Sequence, residues 1–318
     1  MNTYVPKNAA HWVSLVVLVA FALLPWIVDW LERPFYLDVA TRILILALAA
    51  CSLNLILGYG GMISFGHAAY LGIGAYSVGI PAYYEIYNGW AQLGIAIGAS
   101  ALFAFITGII CLRTRGVYFI TITLAFAQMM YFALLSIEEY GGDDGLVIDI
   151  RSELGASIDM ESSVGLYYVI FATLLVVLLA IGRIVNSRFG MVIRGSKGNN
   201  ERMEAIGFPT FRYRLACYVI SGVICGIAGW LLGNFTNFIS PEMMDWTRSG
   251  ELIFMVVLGG TASVFGPVLG ASTFILMEEW LSGITVYWQL IFGPFLIVVV
   301  LFVKGGLNGL LSRIGGRS

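Results

Sequence analysis

The stretch from Gly190 to Lys197, GMVIRGSK, comes within one transposition of a phosphate-binding loop. Such a loop needs Gly-Lys-Ser/Thr after its second glycine, so that the lysine reaches the phosphates and the hydroxyl holds Mg²⁺. Here the order is Gly195-Ser196-Lys197, no strand pattern precedes it, and an apolar run lies just upstream. The chain has no nucleotide site of its own, and if ATP drives it, another chain binds the nucleotide. Enzymatic chemistry lacks parts as well. The two histidines are His11 and His67, and no HExxH, no GxSxG and no aspartate pair inside an apolar run is present. Metal-assisted and nucleophilic catalysis therefore have nothing to work with. Cys51, Cys111, Cys217 and Cys225 fall in or at the ends of apolar runs without ligand-like spacing. They read as small buried thiols.

Polar residues inside apolar runs are costly and usually face a helix-bundle interior. Asn54, Gln128, Asn234 and Asn237 qualify, with Glu251, Glu278 and Glu279 near span ends. Each admits two readings: an interhelical or interfacial hydrogen bond, or contact with a permeating solute. His67, in the SFGHAAY turn, divides the same way. Asn54, His67, Gln128 and Glu251 are the candidates for a translocation pathway. No deep cluster of charged residues accompanies them, which argues against a proton-coupled secondary transporter.

The elements that must position these residues are transmembrane helices. Only 11% of residues are charged and 59% are hydrophobic, whereas soluble domains carry about 25% charged residues. Apolar runs of roughly 17–25 residues suit a hydrocarbon core about 30 Å thick. A barrel is excluded because no stretch sustains apolar/polar alternation. The chain is all-α and polytopic, a single transmembrane domain over 1–318 with about ten spans. These lie near 12–28, 39–57, 63–80, 91–112, 117–137, 164–185, 214–237, 250–265, 268–282 and 287–303. The first reads as a retained span, since LPWIVDW offers no small-x-small cleavage site. With both termini inside, the inner segments hold Lys7, Arg113, Arg115, the seven cations from Arg183 to Arg214, Lys304, Arg313 and Arg317. Only Arg33, Arg42, Arg151 and Arg248 lie outside. That bias sets the orientation.

Two segments stand out against this frame. The outer loop 138–163 is acidic, with Glu138, Glu139, Asp143, Asp144, Asp149, Glu153, Asp159 and Glu161; it is either a solvated face or a docking surface for a soluble partner. The inner loop 186–214 holds a short helix with clear punctuation. Asn199 or Asn200 caps it, Glu201 and Glu204 suit the positive end of its dipole, Gly207 suits its exit and Pro209 stops it. Met203 and Ile206, with Ala205 alongside and Arg202 on the charged side, give it a narrow apolar face. That face either rests on lipid headgroups or plugs a groove in a partner. Lys197 reads as an exposed charge of little consequence. One internal echo is visible: GGMISFGHAAYLG from Gly60 resembles GGTASVFGPVLG from Gly259. It reads as a shared packing device without fold symmetry.

Four stretches carry a family resemblance: LNLILGYGGMISFGHAAYLGIGAY (53–76), LRTRGVYFITITLAFAQMMY (112–131), NNERMEAIGFPTFRYRL (199–215) and ISPEMMDWTRSGELIFMVVLGGTASVFGPVLGA (239–271). The chain resembles the LivM-type permease subunit of ATP-binding-cassette importers for branched-chain amino acids. RTRGVYF is closer to this subunit than to its partner permease, LivH. The resemblance implies a bacterial inner-membrane complex of two different permeases, two cytoplasmic ATPases and an external solute-binding protein. ATP and Mg would be bound by those ATPases, with no cofactor in this chain and no nucleic-acid partner. It also implies that Asn199, Asn200, Glu201, Arg202, Met203, Glu204, Ala205, Ile206, Gly207 and Phe208 form the segment that couples to the ATPase. The tail LFVKGGLNGLL departs from the family's usual Pro-Arg-Gly-like ending. Relatives in such a family also move urea, short amides or aromatic acids. A channel or facilitator working without ATP is the alternative from a different class, and it would not need the capped helix.

Overall fold

The computed structural model describes residues 7–155, 159–261, 263–302 and 305–309; of residues 7–11 and Val300 only the backbone is described. Nearly all of it is helical. In chain order the α-helices are α1 (Lys7–Leu31), α2 (Phe35–Asn54), α3 (His67–Tyr83), α4 (Gly89–Cys111), α5 (Val117–Leu135), α6 (Ser163–Asn186), α7 (Arg188–Gly198), α8 (Asn200–Ala205), α9 (Thr210–Thr236), α10 (Trp246–Gly259), α11 (Gly266–Ser282) and α12 (Trp288–Phe302). Among the described residues, six helical stretches are long and apolar enough to cross a bilayer unaided: Trp12–Leu31, Phe35–Tyr59, Gly89–Cys111, Val117–Leu135, Ser163–Asn186 and Thr210–Thr236. The other four apolar helices, α3, α10, α11 and α12, have 17, 14, 17 and 15 residues. At about 1.5 Å per residue they fall short of a core about 30 Å thick. Four of the ten expected crossings therefore rest on short helices.

Helices α2, α3 and α9 form the centre, and α4, α6, α10 and α11 pack around them. The seam between α3 and α9 is made by glycine. A Cβ placed on Gly229 would lie 1.9 Å from the Leu71 carbonyl, and one on Gly74 would lie 2.0 Å from the Gly226 carbonyl. Small residues let the two backbones approach closely, the main packing device available where lipid supplies no hydrophobic drive. The outer helices expose large apolar side chains, among them Trp12, Trp26 and Trp30 on α1 and Leu290, Ile297 and Leu301 on α12. Those surfaces suit a hydrocarbon solvent. All four cysteines are buried and unbridged.

Three features were absent from the sequence reading. The end of α2 widens into a π-helical turn, Leu55–Tyr59. The first part of the inner loop folds as α7, so GMVIRGSK is helical and cannot be a loop around phosphate. The acidic segment is pinned rather than free. Its strand β1 (Leu146–Val147) pairs antiparallel with β2 (Phe238–Ile239), the Asn234 carboxamide oxygen accepts from the Ser152 N–H at 2.8 Å, and that of Asn237 accepts from Arg151 at 3.2 Å. Asn234 and Asn237 thus serve the loop as anchors.

Candidate translocation and coupling sites

The sequence echo has a structural counterpart. Ser64 Oγ accepts from the Gly66 N–H at 3.1 Å just before α3, and Ser263 Oγ accepts from the Phe265 and Gly266 N–H groups, each at 3.2 Å, just before α11. The second hairpin is keyed to the end of α2 immediately ahead of the first. Asn54 Nδ2 donates to the Ser263 carbonyl at 2.9 Å, and a Cβ on Gly58 would meet the Thr261 carbonyl at 2.3 Å.

The four pathway candidates separate into two pairs. Asn54 and His67 are fully enclosed. His67 Nε2 lies 2.9 Å from Ser221 Oγ and Nδ1 lies 3.4 Å from Ser64 Oγ, while its ring meets Tyr70 edge-on at 5.5 Å. Neither residue lines a described cavity. In this conformation both are ties between helices: both ring nitrogens of His67 face serine hydroxyls and Asn54 Nδ2 is bonded to Ser263, while Asn54 Oδ1 is buried without a partner. Gln128 and Glu251, by contrast, line one cavity of about 820 Å³ beside Tyr131, Glu242, Asp245, Arg248, Glu278 and Trp288. Gln128 on α5 donates to Asp245 Oδ1 at 3.3 Å, across 117 residues of chain. Arg248 pairs with Glu251 at 3.0 Å one helical turn on, and Arg42 of α2 pairs with Glu278 of α11 at 3.0 Å. Partial burial pushes the Asp245 carboxyl up, but hydrogen bonds from Thr247 and Gln128 and from the N–H groups of Trp246 and Thr247 outweigh it and hold it below the usual range. The cavity is thus an anionic, aromatic-walled recess. Asp245 was missed in sequence because it lies outside the apolar runs.

The short helix expected in the inner loop is α8. Asn199 caps it, its side-chain oxygen accepting from the Arg202 N–H at 2.9 Å, and Asn200 is the first helical residue. Gly207 exits at φ +98°, a left-handed conformation open to glycine at little cost. Glu204 Oε1 accepts from Asn200 at 2.7 Å and from Thr210 at 2.6 Å. Those bonds, then the positive charges of Arg115 and Arg214, hold its carboxyl below the ordinary glutamate range. Glu201, Arg202, Ala205, Ile206, Gly207 and Phe208 are exposed, Ile206 at 64%. The expected apolar face is divided, however. Met203 is half-buried against α7, where a Cβ on Gly195 would meet its Sδ at 2.7 Å. Ala205, Ile206 and Phe208 remain exposed, the last two being large apolar side chains. Lys197 is exposed, as expected, but it is not without a role: its Nζ donates to the Gly58 carbonyl at 2.6 Å, so its head group grips the π-helical turn.

Long apolar helices, glycine-packed seams and a polar recess reached from outside the bundle define a multi-pass membrane permease. A profile of the family described as "Branched-chain amino acid transport system / permease component" matches residues 35–301. The chain belongs to that family. It is 28% identical to the high-affinity branched-chain amino acid transport system permease protein LivM of Escherichia coli (strain K12), over 85% of this chain and 69% of that protein. It is 27% identical to the Salmonella typhimurium LivM over the same shares. Similarity to the Escherichia coli LivH, 27% identical, extends over 39% of this chain and 40% of that protein. The stronger, longer match is to LivM, in agreement with the RTRGVYF element. No solved structure matches the chain.

Proposed function

We propose that this chain is the LivM-type permease subunit of an importer that carries branched-chain amino acids across the bacterial inner membrane. A LivH-like permease completes the membrane unit, two cytoplasmic ATPases bind ATP and Mg, and an external solute-binding protein delivers the substrate. The chain itself has no catalytic role. It crosses the membrane ten times with both termini in the cytoplasm, the short helices α3, α10, α11 and α12 supplying four of the crossings. The observation that carries this reading is the family match over 35–301 combined with an exposed apolar tip, Ile206 and Phe208, on a capped helix. Such a tip fits a groove in another protein. The cavity around Gln128, Asp245 and Glu251 is the outer mouth of the pathway, where carboxylates favour an α-ammonium group. That preference separates an amino acid from urea or a short amide, neither of which carries such a charge.

The deciding experiment is uptake of labelled leucine, urea and acetamide by cells expressing the whole importer, with a ligand screen on the cognate binding protein. ATP-dependent accumulation of leucine supports the proposal. Equilibration of any solute by the isolated chain in liposomes, without ATPases, makes the protein a facilitator instead.

A further inference from the structure

We infer that the chain binds a phosphate-bearing anion in a cavity at the opposite end of α5 from the Asp245 recess. This cavity, of about 290 Å³, is lined by Arg115, Lys197 and Arg214 and by no carboxylate. Its three cations come from three places: the turn before α5, the end of α7 and the start of α9. Among the described residues none of the three is in an ion pair; the two pairs found are Arg42–Glu278 and Arg248–Glu251. Glu204 is near enough to feel both arginines, yet its Oε1 is occupied by Asn200 and Thr210. One carboxylate held aside from three cations leaves the recess with an excess of two positive charges. Like charges converging in a partly enclosed space repel, and an anion resting between them removes the repulsion.

Phosphate is the anion that fits this donor set. Two guanidinium groups offer forked donors that match its oxygens in pairs, and an ammonium adds a point charge. Ser196 lines the same cavity, so the Gly-Ser-Lys sequence that fails as a nucleotide loop contributes side chains here. One side of the wall is apolar: Met62, Ile63, Phe119 and Ile120 line the recess, and Val117 and Tyr118 stand 72% and 75% exposed beside Gly116. A headgroup phosphate in the recess with acyl chains along α5 satisfies both parts, and free phosphate satisfies the first alone. The inference does not depend on what the protein transports.

The test is native mass spectrometry of the full chain purified in detergent, titrated with phosphatidylglycerol, phosphatidylcholine or inorganic phosphate. Wild-type chain should retain phosphatidylglycerol in preference to phosphatidylcholine. Arg115→Gln with Arg214→Gln should weaken that retention about tenfold or more, as expected for loss of charge-assisted hydrogen bonds. Displacement of the lipid by millimolar inorganic phosphate supports the site and identifies free phosphate as a second occupant; no displacement supports a lipid occupant. Arg115→Gln alone, which leaves Arg214 and the tie from Lys197 to Gly58 in place, should weaken retention several-fold and covers the case in which the double variant misfolds. Equal binding of every probe by wild type and by the folded variants overturns the inference.

Discussion

Asn54 joins the two glycine-rich hairpins, which lie about two hundred residues apart: its Nδ2 donates to the Ser263 carbonyl at 2.9 Å from the last α-helical position of α2. Among the described residues, the other side-chain bond from α2 to the 259–266 hairpin is a long contact of 4.0 Å from Cys51 Sγ to the Val264 carbonyl. Replacing Asn54 with leucine should leave that carbonyl short of a buried donor and cost about 1–3 kcal/mol. The check is the thermal midpoint of the purified chain in detergent. An unchanged midpoint would show that the tie is not structural.

At the α3–α9 seam, Gly229→Ala should be severe, because the added methyl would stand 1.9 Å from the Leu71 carbonyl and backbone must move. Overpacking of this kind costs about 1–3 kcal/mol or more. Gly182→Ala, where nothing lies within 4 Å, should be neutral or slightly stabilising. Yield of monodisperse protein after detergent extraction compares the two.

Ile206→Asp should abolish ATP-driven uptake and loosen ATPase retention while insertion stays normal, since Ile206 is exposed in the isolated chain. A charge placed in a desolvated contact costs on the order of several kcal/mol. Met203→Asp should fail differently, by loss of folded protein, because Met203 packs on Gly195. Uptake assays together with co-purification of the ATPase separate these outcomes, and full retention of both activities by Ile206→Asp would exclude α8 as a coupling element.

The hydrogen bonds to Glu204 predict a pH dependence with a definite sign. A carboxyl whose folded value is depressed stabilises the fold above its ordinary titration range, and the contribution fades as pH falls through the depressed value. The α8–α9 junction should therefore stay rigid at neutral pH and loosen only in acid. A spin label at Ile206 reports this as a gain in mobility on acidification, and Glu204→Gln should remove the pH response.

Cysteines placed at Asp143 and at Asn199 should be labelled from opposite faces of the membrane, as the distribution of Lys and Arg requires. Labelling of both from one face would overturn the ten-span orientation.

Local chemistry was legible where it was self-contained. Asn199, Gly207 and Pro209 delimit α8 through their own backbone preferences, and the long apolar runs define α1, α2, α4, α5, α6 and α9. What depends on distant partners was not legible. Helix α7 has few apolar residues, and it is held by burying Val192 and Ile193 in tertiary contacts. The division of the α8 face follows from Gly195 leaving room for Met203, a fact of packing. Asp245 joins Gln128 only because α5 and α10 converge, and His67 points inward where glycines draw α3 and α9 together, while Asn54 is buried by the 259–266 hairpin packing on the end of α2. Residue type alone could not separate the residues of a cavity from the ties of a core.

The grip of Lys197 on Gly58 gives the protein a mechanical character. Helix α8 leans on α7 through Met203, α7 holds the wide turn through Lys197, and that turn meshes with the 259–266 hairpin through Asn54 and Gly58. These contacts act in series, so Ile206 and the buried end of α2 are joined by an unbroken path of protein contacts. The segment with length to yield is Leu55–Tyr59, whose π-helical winding stores more chain per turn than an α-helix does. That turn lies at the joint where both hairpins meet, so a displacement carried along these contacts would be taken up there as winding or unwinding.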